Sequence, residues 1–191
     1  MASGSTLESR VEAACAGLSL GDKRGYIGEP VSQLEHALQC AQLAQAAHAS
    51  PSEVLAALFH DIGHLVAPEG AAEMAGLGIV DHEGIGSTWL AALGFDSSVC
   101  ALVRAHVDAK RYLALRKPGY YARLSEASRG TLRFQGGPMS EAEAVAFEAD
   151  PLFAAKVRLR SWDEAAKDST WQVVSLQVYA GLIREHLEQA R

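Results

Sequence analysis

Apolar residues recur three and four positions apart through most of this chain, most clearly from Leu34 to Ala47 and from Val54 to His60. That spacing lines one face of an α-helix, and alanine and leucine outnumber β-branched residues, so the chain reads as all-α. Residues 1–6, rich in Ser, Gly and Ala, are expected to fray, and a first helix runs from about Leu7 to Leu18. Ser32 with Glu35 has capping-box spacing and starts a helix that reaches about Ala47. Ser50, Pro51 and Glu53 repeat that signature, which puts His60 and Asp61 near a helix end and Gly63 at its exit. Further helices are predicted from near His82 to Leu93, stopping at Gly94, and from about Ser97 to Leu115. Periodicity weakens from Lys117 to Pro138, which predicts short helical turns and a surface loop. Ser140 with Glu143 opens another helix, a later one carries Arg160 to Asp163, and Ser175 to Gln189 closes the chain. Two glycines and Pro30 make Gly25 to Pro30 a loop able to move. Residues 1–191 show no repeat or linker, so one helical domain is expected.

Composition narrows the possible partners. The 191 residues are 49% hydrophobic, enough for one good core, and carry a formal net charge of −6. That balance argues against nucleic acid, whose phosphates are met by fields of Lys and Arg, so an anionic ligand must find local positive charge. No apolar stretch approaches the ~20 residues that span a bilayer, so no membrane partner is expected. Cys15, Cys40 and Cys100 are odd in number and lack CxxC spacing, which fits buried free thiols in a reducing compartment, the cytoplasm. Trp89, Trp162 and Trp171 read as core residues, with Trp162 also a possible pocket wall beside Asp163, and His48 and His186 as exposed.

Four of the seven histidines, His36, His60, His82 and His106, fall on separate predicted helices. His60 is followed directly by Asp61, and where a helix ends both can reach one metal; such nitrogen and oxygen donors suit iron, manganese or zinc. Lys110 lies four residues after His106, on the same helix face, and Arg160 three residues before Asp163. Both can bring positive charge to the site, Arg160 as a bidentate fork. Ser128 and Thr131 stand at helical spacing, and His64 one turn from His60.

An isolated His, a His-Asp doublet and a distant Asp, here His36, His60-Asp61 and Asp163, resemble the pattern of the HD-domain superfamily. The strings GYIGEPVSQLEHALQ, FHDIGH, DHEGIG, AHVDAKRYL, SEASRGTLRFQGGPMS and RSWDEAAK together resemble the PhnZ-type phosphonate oxygenases. With myo-inositol oxygenase these form the mixed-valent diiron branch. The resemblance spans about Tyr26 to Lys167 and implies an HD-domain helical bundle with two iron ions, Fe(II) and Fe(III). One iron is held by His36, His60 and Asp163, the other by His82 and His106, with Asp61 between them. It assigns Lys110, Arg160, Ser128 and Thr131 to the phosphonate and His64 to the substrate. Tyr26 occupies the metal until substrate displaces it, and Glu29 faces the substrate's amino end. Such a site keeps roughly two positive charges, which a phosphonate dianion would neutralise.

The implied reaction uses dioxygen to cleave the carbon–phosphorus bond of a small hydroxylated aminophosphonate. Two substrates fit: 2-amino-1-hydroxyethylphosphonate, giving phosphate and glycine, and its N-trimethylated relative of the TmpB type, giving glycine betaine. The alternative is a metal-dependent HD phosphohydrolase of a nucleotide or phosphate ester. A signalling or binding module without turnover is a third reading, opposed by the complete ligand set.

Overall fold

The computed structural model describes residues 6–26 and 28–190. Of the stretch expected to fray, residues 1–5 lie outside the described residues, while Thr6 caps the first helix. The helices are α1 Leu7–Ser19, α2 Gln33–Ala46, α3 Pro51–Phe59, α4 Gly63–Val66, α5 His82–Leu93 and α6 Ser97–Arg116. They continue with α7 Tyr120–Arg123, α8 Glu126–Phe134, α9 Glu141–Glu148, α10 Phe153–Ala165 and α11 Gln177–Gln189. Among the described residues there is no strand, only two isolated bridges, Gly25 with Ser32 and Glu73 with Ile79.

The caps explain why these segments are helical. Complete capping boxes stand at Ser32/Glu35, Ser50/Glu53 and Ser140/Glu143, each satisfying two backbone donors that the first turn cannot. Pro51 sits in the first turn of α3, where its missing N–H costs nothing. The Asp96 side chain accepts from Val99 N–H at 2.8 Å to start α6, and Gly94 ends α5 in the left-handed region.

The main core gathers apolar side chains of α1, α2, α3, α5, α6, α10 and α11, with Leu55, Phe59, Leu90, Val99, Val103 and Tyr179 fully shielded. Within it α2 packs on α3, α3 on α6, α6 on α5, and α10 against α2, α3 and α6, so the helices bearing the four histidines follow one another in space. A second cluster around Ala105, Ala109, Met139 and Phe147 seats α9 on α6. A third, Tyr120, Leu124 and Leu132, fixes α7 and α8. No helix among the described residues is long and apolar enough to cross a membrane.

Several local expectations need correction. Gly63 does not mark an exit: α3 ends at Phe59, and Gly63 opens α4. A Cβ at Gly63 would lie 1.9 Å from the His82 carbonyl oxygen, so glycine here lets the start of α5 press against the His60-Asp61 turn. The stretch after Lys117 is more ordered than predicted, because Ser125 accepts from Ser128 N–H and caps the nine-residue α8. His186 is buried rather than exposed: α11 turns it inward, where its Nε2 accepts from Asp96 N–H at 3.2 Å beside Phe95. His48 is exposed as expected. All three cysteines are free, but only Cys40 is buried; Cys15 and Cys100 lie at the core's edge. Trp162 is core, Trp89 half-buried against it, and Trp171 half-buried outside it.

Candidate metal centre and ligand cavity

His36 comes from the first turns of α2, His60 from the C-cap of α3, His82 from the first position of α5, His106 from the middle of α6 and Asp163 from α10. All five are nearly or fully buried. Each histidine directs Nδ1 to a backbone carbonyl: His36 to Ala166 at 2.7 Å, His60 to Ala57 at 2.9 Å, His82 to Ile79 at 3.2 Å and His106 to Val103 at 2.8 Å. A carbonyl only accepts, so the proton sits on Nδ1 and the lone pair on Nε2 is free. Those lone pairs converge, with 3.1 Å between His36 and His60 and 3.0 Å between His82 and His106.

Asp61 stands between the two pairs. Its Oδ2 lies 3.3 Å from His60 Nε2 and 3.8 Å from His36 Nε2, and its Oδ1 lies 3.3 Å from both His82 and His106 Nε2. Asp163 Oδ1 adds a second carboxylate at 3.4 Å from His36 and 3.8 Å from His60. Burial alone would raise both carboxyls, but the imidazoles around Asp61 and the Arg160 guanidinium beside Asp163 hold them well below the usual range. Burial pulls His60 down, yet Asp61 and Asp163 lift it to about 9, so a cation would have to displace a proton from its Nε2, while burial keeps His106 below its ordinary value. Facing lone pairs and ionised carboxylates gathered out of water are a donor set for cations. The backbone carbonyls behind the rings are the usual means of fixing a ligand's tautomer. The residues therefore fit two metal ions, one at each pair with Asp61 between. Cys40 Sγ is 3.8 Å from His36 Nε2, a neighbour that spacing did not single out.

Asp61, His82, His106 and Asp163 form part of the wall of a cavity of about 230 Å³. Pockets for drug-sized ligands span roughly 300–1,000 Å³, so this one suits a small molecule. Tyr26, Glu29, His64, Lys110, Ser128, Thr131 and Arg160, the other residues singled out from the sequence, line the same cavity; Trp162 does not. Buried Lys110 donates to Thr131 Oγ1 at 2.9 Å. Burial, with Arg160 nearby, lowers its pKa to about 7. Arg160 is locked on three sides: it donates through Nη1 to Asp163 and through Nε, at 3.0 Å each, to Tyr120 Oη and Glu164. Its Nη2 is buried and unpaired. A fixed guanidinium with one donor free beside a cavity is built to meet an anion.

His64 uses Nδ1 to accept from Ile79 N–H at 3.1 Å, which leaves its proton on Nε2. Burial and the neighbouring histidines hold it near 3, so it is a neutral donor. Its ring stacks on His82 at 3.9 Å. Tyr26 stacks on His36, also at 3.9 Å, and burial with the charges of Asp61 and Asp163 keeps its phenol protonated. The Tyr26 loop closes as a tight turn: Tyr26 N–H donates to Val31 O at 2.8 Å and Glu29 N–H to Tyr26 O at 2.9 Å. Gly28 takes φ of 74° there.

Comparison with known proteins agrees with this geometry. The HD domain pattern matches residues 34–155. A hydroxymethylphosphonate dioxygenase of Gimesia maris is 39% identical over 168 residues, covering 87% of this chain and 83% of its own. A [1-hydroxy-2-(trimethylamino)ethyl]phosphonate dioxygenase (glycine-betaine-forming) of Leisingera caerulea is 38% identical over 172 residues, 88% and 87% of the two chains. The chain belongs to the HD-domain family, in its PhnZ-type oxygenase branch. An uncharacterised protein of Acanthamoeba polyphaga mimivirus is 40% identical over 166 residues, 86% of this chain and 76% of its own. As an HD-domain oxygenase, this protein carries buried His and Asp side chains gathered so that they could hold metal.

Spacing missed three residues of the site. Tyr120 and Glu164 hold Arg160; Tyr120 lies outside every motif string, and Glu164, though inside RSWDEAAK, carries no helical offset from a ligand that marks a role. Lys167, also on the cavity wall, pairs with Glu29 at 2.6 Å. It lies four residues after Asp163, as Lys110 does after His106, and that repeated offset was the available signal.

Proposed function

We propose that this chain is a diiron oxygenase, working in the cytoplasm, that cleaves the carbon–phosphorus bond of a small 1-hydroxyphosphonate. The observation that carries the reading is the position of Asp61: one oxygen faces each histidine pair, beside a cavity that also holds Lys110 and the free Nη2 of Arg160. One cation would be held by His36, His60 and Asp163, the other by His82 and His106, with Asp61 as the shared ligand. A mixed-valent Fe(II)/Fe(III) pair bound there would supply dioxygen binding and reduction.

The chain's own residues bind and orient the substrate. Lys110 and Arg160 take the phosphonate oxygens, one as a compact ammonium and the other as a planar fork. Ser128 and Thr131 offer hydroxyls on the same wall, and His64 Nε2–H donates to the substrate hydroxyl. Tyr26, protonated and stacked on His36, shields that side from water until substrate enters. The overall reaction balances without an external reductant: a 1-hydroxyphosphonate and one dioxygen become one carboxylic acid and one phosphate. The carbon that loses phosphorus is oxidised and dioxygen is fully reduced.

Both relatives named as dioxygenases act on 1-hydroxyphosphonates that differ beyond the hydroxylated carbon, one ending there and one carrying a trimethylamino group. That shared part is what Lys110, Arg160 and the metal pair can recognise. The test is iron-loaded protein with hydroxyphosphonates under oxygen, following phosphate release and oxygen uptake together. One oxygen consumed per phosphate is expected. Hydrolysis of nucleotides or phosphate esters without oxygen uptake would replace this reading by the phosphohydrolase one.

A further inference from the structure

Lys167 sits against both a carboxylate and an aromatic ring on the cavity wall. A carboxylate and an aromatic face are the two surfaces that recognise an ammonium or trimethylammonium group. On this cavity wall they are Glu29 and Tyr26, and Lys167 engages both. Its Nζ donates to Glu29 at 2.6 Å and lies over the Tyr26 ring, 5.8 Å from the centroid. Tyr26 is further committed by its stack on the His36 ring at 3.9 Å. The Lys167–Glu29 pair is largely shielded, with side chains 17% and 11% exposed, so solvent screens it little.

Lys167 is also held in place. It follows Ala166, whose carbonyl accepts from His36 Nδ1, and its own N–H donates to Ala165 O at 3.0 Å. Glu29 is held from the other side by the turn to Tyr26, and Gly28 sits so close to α8 that a Cβ there would lie 3.0 Å from Ala127 Cβ. The remaining charged groups on the wall outside the metal cluster are Arg24, Glu73, Lys110 and Arg160. Only one of them, Glu73, is acidic, and it is exposed.

We infer that Lys167 is a resident cation that fills the ammonium position of the cavity and selects a 1-hydroxyphosphonate with an uncharged end, hydroxymethylphosphonate or its small alkyl homologues. The inference rests on the phosphonate reading above and decides between its substrates. A cationic substrate would have to displace Lys167 from Glu29 and leave a second positive charge beside it. With hydroxymethylphosphonate nothing is displaced, and the balanced reaction yields formate and phosphate.

The test compares kcat/KM of the iron-loaded full chain for hydroxymethylphosphonate, 1-hydroxyethylphosphonate, 2-amino-1-hydroxyethylphosphonate and its trimethylated form. Binding of the same four compounds is measured calorimetrically without oxygen. The natural sequence is expected to favour the two nitrogen-free compounds by about tenfold or more. Lys167→Met, which keeps the stem and removes the charge, is expected to move the ratio of cationic to nitrogen-free turnover and binding by at least about tenfold toward the cationic compounds. Glu29→Gln, which leaves Lys167 unpaired, moves that ratio the other way. Cationic compounds preferred by the natural sequence, or ratios unmoved in both variants, overturn the selector role. Phosphate from none of the four would instead overturn the phosphonate reading itself.

Discussion

The His36–His60 pair and the His82–His106 pair have almost the same internal geometry, with nitrogens 3.1 and 3.0 Å apart and every Nδ1 tied to a carbonyl, yet their surroundings differ. The first pair is sealed: both rings are fully buried, Tyr26 covers His36, and Asp163 with its Arg160 partner closes another side. The second pair lies on the cavity wall with Asp61, next to His64. The first pair is thus covered by Tyr26 and Asp163, which themselves line the cavity, while the second meets the cavity directly. The difference comes from what packs outside each pair rather than from the ligands. Helices α2, α3 and α10 pack together around the first, whereas residues of α5, α6, α8 and the Tyr26 loop line the cavity beside the second.

The largest expected effect is at the group the two pairs share. Asp61→Ala should lower iron from two per chain to one or none and cut phosphate release by at least about a thousandfold, measured by metal analysis and turnover of the same preparation. Two full irons in that variant would break the bridging assignment.

The pairs themselves separate next. His106→Ala should keep about one iron while losing turnover. His36→Ala should also lower the melting temperature, since the buried Ala166 carbonyl, past the end of α10, loses its donor, whereas the Val103 carbonyl that His106→Ala frees lies inside α6 and keeps its helix partner. That loss is worth ~1–3 kcal/mol, or about 2–4 °C per kcal/mol in a chain of this size. Equal melting temperatures for the two variants would erase the distinction between a sealed and an open position.

On the open side, Lys110→Ala should leave iron content intact and raise KM by about 10- to 100-fold, the worth of a charge-assisted hydrogen bond. Loss of iron would make the lysine structural. Because burial lowers Lys110 to about 7, its ammonium is present below that pH and lost above it. Hence kcat/KM should fall as pH rises through about 7, and the fall attributable to this group should vanish in Lys110→Ala. Thr131→Val, which removes the hydroxyl that accepts from Lys110, should have the smallest effect, about three- to tenfold in KM at unchanged iron content.

The capping boxes at Ser32, Ser50 and Ser140 and the glycine stop at Gly94 made most helix starts and ends legible, because caps act within four residues. Gly63 misled because its small size serves a contact with His82, nineteen positions away, rather than the end of its own helix. Ser125 was passed over because α8 is short and polar, with only Leu132 buried. His186 was misplaced for a similar reason: one histidine in a polar last turn gives no sign that α11 turns it toward Asp96.

For the site, the sequence, through its motifs and the family they resemble, singled out the residues that the fold brings together: His36, the His60-Asp61 doublet, His82, His106 and Asp163, with Lys110 and Arg160 at helical offsets from two of them. Those offsets are local, so they survive any packing of the helices. Tertiary structure alone decided that Asp61 turns one oxygen to each pair, that Tyr120 and Glu164 brace Arg160, and that Lys167 reaches Glu29, 138 positions earlier in the chain. Contacts across such separations depend on how whole helices cross, and side-chain packing over the entire core sets those crossings.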